Sequence, residues 1–128
     1  MSTFVPPDTA FRTVRQRRPK VTNEAHLKFI RSLCCVICGA PNPDPAHVRA
    51  PSPRHGKRDT GGGETASDRW VNPLCRAHHD EQHGRNELAF WASYGIDPFS
   101  LALSLYACSG DEELGRQIIL ENAPEKTP

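Results

Sequence analysis

The chain is short of apolar material. Only 37% of its 128 residues are hydrophobic and its mean hydropathy is −0.59. The core is therefore thin, and a compact fold of this size gains from a metal staple. No apolar run approaches the roughly 20 residues that a membrane-spanning helix needs. The N-terminus lacks the apolar stretch of a secretory signal. Cysteine is scarce and odd in number: Cys34, Cys35, Cys38, Cys75 and Cys108. That count does not suit a disulfide framework. With C-x2-C spacing and clustered histidines it reads as metal binding in a reducing compartment, so the expected location is cytoplasmic.

Proline and glycine are plentiful, twelve and nine. They gather near the N-terminus and in residues 41–63, which predicts long irregular stretches. The net charge of +1 conceals an asymmetry. Residues 1–58 carry 11 basic against 3 acidic side chains, and residues 59–128 carry 5 against 12. A basic front half suits a polyanionic partner; it reads equally as a solvated basic tail. The expected organisation is a flexible basic arm over 1–22, one domain over 23–122 and a disordered tail over 123–128. The arm carries Arg12, Arg15, Arg17, Arg18 and Lys20, and its affinity for a phosphate backbone would fall with salt.

Asn23 can cap a helix over 24–33, with Leu27, Ile30 and Leu33 on its apolar side and His26 at the surface. Cys35-Val-Ile-Cys38-Gly39 follows, and the glycine suits a zinc knuckle. Downstream, Pro73-Leu-Cys-Arg-Ala-His-His-Asp-Glu-Gln-His83 supplies Cys75-x2-His78. Together the two halves form a Cys3His set. Cys34 competes with Cys35 in principle, but the x2 spacing favours Cys35. The 36 residues between the halves exceed those of a simple finger, so the site clips the base of an inserted hairpin.

Within that insert Ala46-His-Val-Arg49 predicts a short edge strand between prolines. Residues 52–67 form a loop with Arg54, Lys57 and Arg58. It either holds phosphates or is a plain linker. Residues 68–74 predict the second strand. His79 and His83 lie four apart, so on a helix they share one face, turned away from His78. Three further helices are expected, over 87–94, 98–108 and 112–121, with Asn86, Asp97 and Asp111 as caps. They build the core, and Cys108 reads as a small buried residue.

This order of segments resembles the HNH nucleases, the ββα-metal fold, and is closest to their small prophage-type members. The resemblance covers about residues 24–108. It rests on Leu27 to Gly39, a helix running into C-x2-C-G, on Ala46-His-Val-Arg49, on Ser67 to His83, an Asp-containing strand running into Pro-Leu-Cys-x2-His-His-x3-His, and on Phe90-Trp-x-x-Tyr-Gly-Ile-Asp-Pro98. It implies an α+β fold with a zinc-clipped ββα-metal core of hairpin plus helix, surrounded by several helices. It implies a structural Zn2+ on Cys35, Cys38, Cys75 and His78. His47 falls where the family keeps its general base. His79 falls on a ligand of the catalytic metal, and His83 on the extra helical histidine of some members.

Two positions depart from the pattern. Ala46 stands where many members have an Asp or His ligand, and Trp70 where many have Asn. Asp68 is the first choice for an outer-shell or metal role, with Asn72 as fallback. Position 46 being mute, a second ion would rest on His79, His83, a carboxylate, and otherwise on water and phosphate oxygens, or recruit His47 itself.

The implied activity is metal-dependent hydrolysis of DNA phosphodiester bonds, on double-stranded or branched DNA. His47, with the ordinary imidazole pKa of about 6.5, would take a proton from water. Two imidazoles favour Zn2+, Mn2+ or Ni2+ over Mg2+, which prefers oxygen ligands. Arg49, Arg54, Lys57, Arg58 and Arg76 are the candidate phosphate contacts. The alternatives are a zinc-stabilised nucleic-acid-binding module without turnover, and a protein-interaction domain built on one zinc.

Overall fold

The computed structural model describes residues 22–58 and 67–124. The basic arm, the 59–66 part of the basic loop and residues 125–128 lie outside the described residues. Helix α1 (Glu24–Arg31) is followed by strand β1 (Asp44–His47) and a 3-10 turn (Pro53–His55). A second 3-10 turn (Asp68–Trp70) enters strand β2 (Val71–Leu74), which runs into α2 (Arg76–His83). Then come α3 (Glu87–Ser93), α4 (Pro98–Ala107) and α5 (Glu112–Asn122). The fold is α+β: among the described residues, five helices surround one two-stranded antiparallel hairpin. None of those helices is long and apolar enough to cross a membrane.

Local chemistry explains four of the five helix starts; α2, which follows Cys75, has no side-chain cap. The Asn23 side chain accepts the His26 N–H at 3.0 Å. Asn86 accepts from Ala89 at 2.9 Å, Asp97 from Phe99 at 3.0 Å and Asp111 from Leu114 at 3.1 Å. Each satisfies at least one of the donors left free at a helix N-terminus, Asp97 two of them, Phe99 and Ser100. Ser32 ends α1 two residues before the expected stop, its hydroxyl donating to the Phe29 carbonyl at 2.6 Å.

The buried side of α1 differs from the expected one. His26, Phe29, Ile30 and Leu33 are buried, while Leu27 is only half-buried. Their i, i+3, i+4, i+7 spacing is a helical stripe. It includes His26, which is fully buried rather than at the surface. The imidazole is tolerated there because its Nδ1 meets the Ser109 hydroxyl at 2.8 Å and its ring sits edge-on to Tyr106. Burial holds its pKa below 6.5, against the opposing pull of the Asp68 charge. Leu88 and Leu114 are solvent-exposed, and Cys108, expected to be buried, is only half-buried.

The hairpin register pairs Asp44 with Leu74, Pro45 with Pro73, Ala46 with Asn72 and His47 with Val71. The first strand thus begins two residues earlier than predicted and ends at His47. The second is shorter than predicted because residues 68–70 wind into a 3-10 turn. Side chains alternate along β1. Ala46 points into the core at 0% exposure, next to Asn72. The main core joins α1, the hairpin and the later helices around Ile30, Leu74, Phe90, Trp91, Leu105 and Ile119. A smaller cluster of Val48, Trp70, Phe99 and Ala102 lies beside it. α5 crosses α1 at Gly115, where an added Cβ would lie 2.8 Å from the Phe29 ring and 3.1 Å from Leu33.

Candidate metal and histidine site

Two turns bring the cysteines together. The 35–38 knuckle is closed by the Gly39 N–H on the Cys35 carbonyl at 2.8 Å and the Cys35 N–H on the Ala40 carbonyl at 2.9 Å. Gly39 has φ +79°, a left-handed conformation that glycine adopts freely. The Val36 N–H donates to the Pro73 carbonyl at 3.0 Å and so docks the knuckle on the end of β2. Cys75 stands immediately before α2 and His78 one turn into it.

The ligand atoms of Cys35, Cys38, Cys75 and His78 all lie within 4.8 Å of one another. Cys38 and Cys75 sulfurs are 3.7 Å apart, and His78 Nδ1 is 3.8 Å from Cys35 and 3.2 Å from Cys75. Tetrahedral zinc with Zn–S of about 2.3 Å sets ligand edges of about 3.5–3.8 Å. The donor set and its spacing fit such an ion, so the cluster can bind a metal such as zinc. Its thiols differ. Burial raises Cys75, but the backbone N–H and ring of His78 and the neighbouring thiols outweigh it and draw the pKa down to about 7. Burial and the adjacent thiols push Cys38 up to about 11 despite the Ala40 backbone N–H. Cys34 is not one of the four. Burial and then the nearby Cys35 raise its pKa.

The remaining histidines are anchored by carboxylates. His47 Nε2 lies 3.0 Å from Asp68 Oδ1. The other Asp68 oxygen accepts the Asn23 backbone N–H at 2.7 Å. Asp68 therefore ties the hairpin to the start of α1, and the His47 proton sits on Nε2, leaving Nδ1 as the basic atom. At the opposite end of β1, Asp44 Oδ2 accepts His79 Nδ1–H at 3.0 Å and the Arg76 guanidinium at 2.9 Å. His79 Nε2 then faces His83 Nε2, 3.0 Å away. Two imidazole nitrogens that close can share either a proton or a cation.

The three imidazoles do not form one ligand set. Among the described residues the Cys3His cluster is the one group of three or more such side chains with mutually close ligand atoms. His47 thus does not join His79 and His83 as a ligand, and both Asp68 oxygens are already engaged. Asn72 is fully buried and donates to the Pro98 carbonyl at 3.1 Å, which fastens β2 to α4 and keeps it from the histidines. Trp70 fills the smaller core, edge-on to Phe99.

The basic candidates are scattered. Arg76 is exposed but paired with Asp44 and, at 3.5 Å, with Asp80. Arg54 lies 4.0 Å from Asp97 and is otherwise well exposed. Lys57 departs from the expected phosphate role: it is 4% exposed, and its ammonium donates to the carbonyls of Arg49 and Arg58. Arg49 and Arg58 are exposed.

Two acidic residues of consequence went unnoticed in the sequence, Asp44 and Glu87. Asp44 sat in a proline-rich run read as irregular. Its signal was its rarity, as one of 3 acidic residues in the first 58.

The fold and the site define a small α+β protein with a Cys3His cluster able to hold a metal such as zinc. The chain belongs to the DUF968 family, described as "Protein of unknown function (DUF968)", which matches residues 5–107. It is 35% identical over 79 residues to the "Uncharacterized protein YdfU" of Escherichia coli (strain K12). That match covers 62% of this chain and 21% of the relative, so the chain spans about a fifth of that protein's length. No solved structure matches the chain significantly.

Proposed function

We propose that the protein is a zinc-clipped, HNH-like nuclease that hydrolyses phosphodiester bonds of DNA in the cytoplasm. The observation that supports this reading is the pair of carboxylate-anchored imidazoles at the two ends of β1. His47–Asp68 and His79–Asp44 each lie at 3.0 Å, beside the Cys3His cluster.

In this reading His47 Nδ1 takes the proton of an attacking water, and Asp68 holds the ring and balances the imidazolium that forms. Asp44 keeps the His79 proton on Nδ1, so Nε2 presents its lone pair alongside His83. Those two nitrogens would hold a divalent transition ion, which supplies Lewis-acid stabilisation of a phosphoryl oxygen. Arg49 and Arg54 lie on the segment that follows the His47 strand, where they would meet the backbone of the nucleic acid.

A second reading, a nucleic-acid-binding module without turnover, is favoured by the poverty of the second site. Two imidazoles alone hold an ion weakly, and Ala46 adds nothing.

Nicking of supercoiled plasmid with Mg2+, Mn2+, Zn2+ or Ni2+ separates the two. Metal-dependent nicking that disappears in His47→Ala at equal zinc content supports the enzyme. DNA binding with no nicking under any of these ions supports the module.

A further inference from the structure

Directly past the His47 strand, two consecutive backbone N–H groups converge on one anion. Arg49 N–H donates to both carboxylate oxygens of Glu87, at 2.9 and 3.1 Å, and Ala50 N–H donates to one of them at 2.8 Å. Glu87 is the first residue of α3. That helix is already capped by Asn86, so the Glu87 carboxylate serves the loop rather than its own helix. The peptide that joins Arg49 to Ala50 is polarised from behind. The buried ammonium of Lys57 donates to its carbonyl, that of Arg49, at 3.1 Å. A cation on the carbonyl strengthens the N–H of the same peptide as a donor.

We infer that the Arg49–Ala50 amides form an anion site for a phosphodiester oxygen, and that Glu87 occupies it as an internal competitor. Paired backbone donors of this kind bind phosphate and carboxylate through the same hydrogen bonds. The site lies two residues beyond His47, where a nucleic-acid backbone would pass. Binding of the phosphate expels the Glu87 side chain, so the tethered carboxylate screens out weak anions. The inference rests on the nucleic-acid reading above only for the source of the phosphate.

The test is an amide NMR titration of the full zinc-loaded chain with inorganic phosphate, with chloride at equal ionic strength, and with a short DNA duplex. In Glu87→Ala the Arg49 and Ala50 amides are expected to shift saturably with phosphate. The apparent Kd should lie about tenfold below the wild-type value, since a tethered competitor has been removed. Wild type should give the same shifts at higher phosphate. Should Glu87→Ala fail to fold, Glu87→Gln keeps an acceptor oxygen without the charge, and a gain of about threefold is expected.

Equal affinity in wild type and every folded variant, or identical shifts with chloride, overturns the site. Shifts with phosphate but none with the duplex overturn the nucleic-acid source. Plasmid nicking is measured on the same samples. Its absence alongside intact phosphate shifts overturns the nuclease reading and leaves the anion site standing.

Discussion

Replacing Cys38 by serine is the sharpest test of the clip. Cys38 is the exposed member of the Cys3His cluster, so the substitution removes a ligand without opening a core cavity. Apparent zinc-binding free energies in small domains run to about 10–16 kcal/mol, comparable with the whole stability of a domain, about 5–15 kcal/mol. Not all of the junction depends on the ion. The Val36–Pro73 hydrogen bond and the buried Cys35 and Val36 also hold the knuckle to β2. Taking one ligand of four as roughly a quarter of the ion's contribution gives a loss of about 2.5–4 kcal/mol. At about 3–4 °C per kcal/mol for a chain of this size, Tm should fall by roughly 8–16 °C. Zinc content by metal analysis and thermal unfolding by circular dichroism read both effects. Cys34→Ser is the control: its thiol lies outside the cluster, so zinc and Tm should stay near wild type. Wild-type zinc and Tm in Cys38→Ser would falsify the clip, as would purified wild type that takes up no zinc.

Further predictions follow from single contacts. Gly115→Ala gains about 1 kcal/mol of helix propensity but drives a methyl against Phe29 and Leu33, which costs about 1–3 kcal/mol; a net loss in denaturant unfolding is expected, and a gain would mean that α1 and α5 are not in close contact. Asp97→Ala should cost about 1 kcal/mol at pH 7 through loss of the α4 cap. Burial raises the Asp97 pKa, but the Ser100 and Phe99 donors and His55 outweigh it and hold it below 3.8, so the wild-type advantage should vanish as pH falls through that range. His26, kept neutral by burial, binds fewer protons folded than unfolded, so stability should drop as pH falls below about 6.5; His26→Gln should flatten that slope in urea titrations. On the proposed nuclease reading, Asp44→Asn removes the carboxylate that orients His79, so the affinity for a second ion, measured by calorimetry on the zinc-loaded chain, should fall about 10–100-fold, with the zinc content otherwise unchanged.

What could be read from the sequence was what spacing determines. The two cysteine half-sites, the helix caps Asn23, Asn86, Asp97 and Asp111, and the i, i+4 pairing of His79 with His83 are all local relations. They reappear in the structure with the expected partners. What could not be read was set by packing between distant segments. His26 looked like a surface residue because its partners, Ser109 and Tyr106, lie about eighty positions away. Lys57 looked like a phosphate contact because nothing local signals that its ammonium folds inward onto carbonyls. Asp44 and Glu87 matter through contacts 35 and 38 residues distant. A short strand holding His47 was legible, but not its bounds or register, which turn Ala46 inward while His47 stays half-exposed.

The cysteine clip has a consequence for how the chain can vary. With a metal bound it would pin together two points separated by 36 residues; within that excursion β1, β2 and Trp70 are packed in the core, so length can change only between those packed pieces. For a flexible closed segment, doubling the number of residues adds only about 0.6 kcal/mol. Residues can therefore be added or removed between the two strands at little cost, while the cysteine cluster and the helices behind it stay as they are.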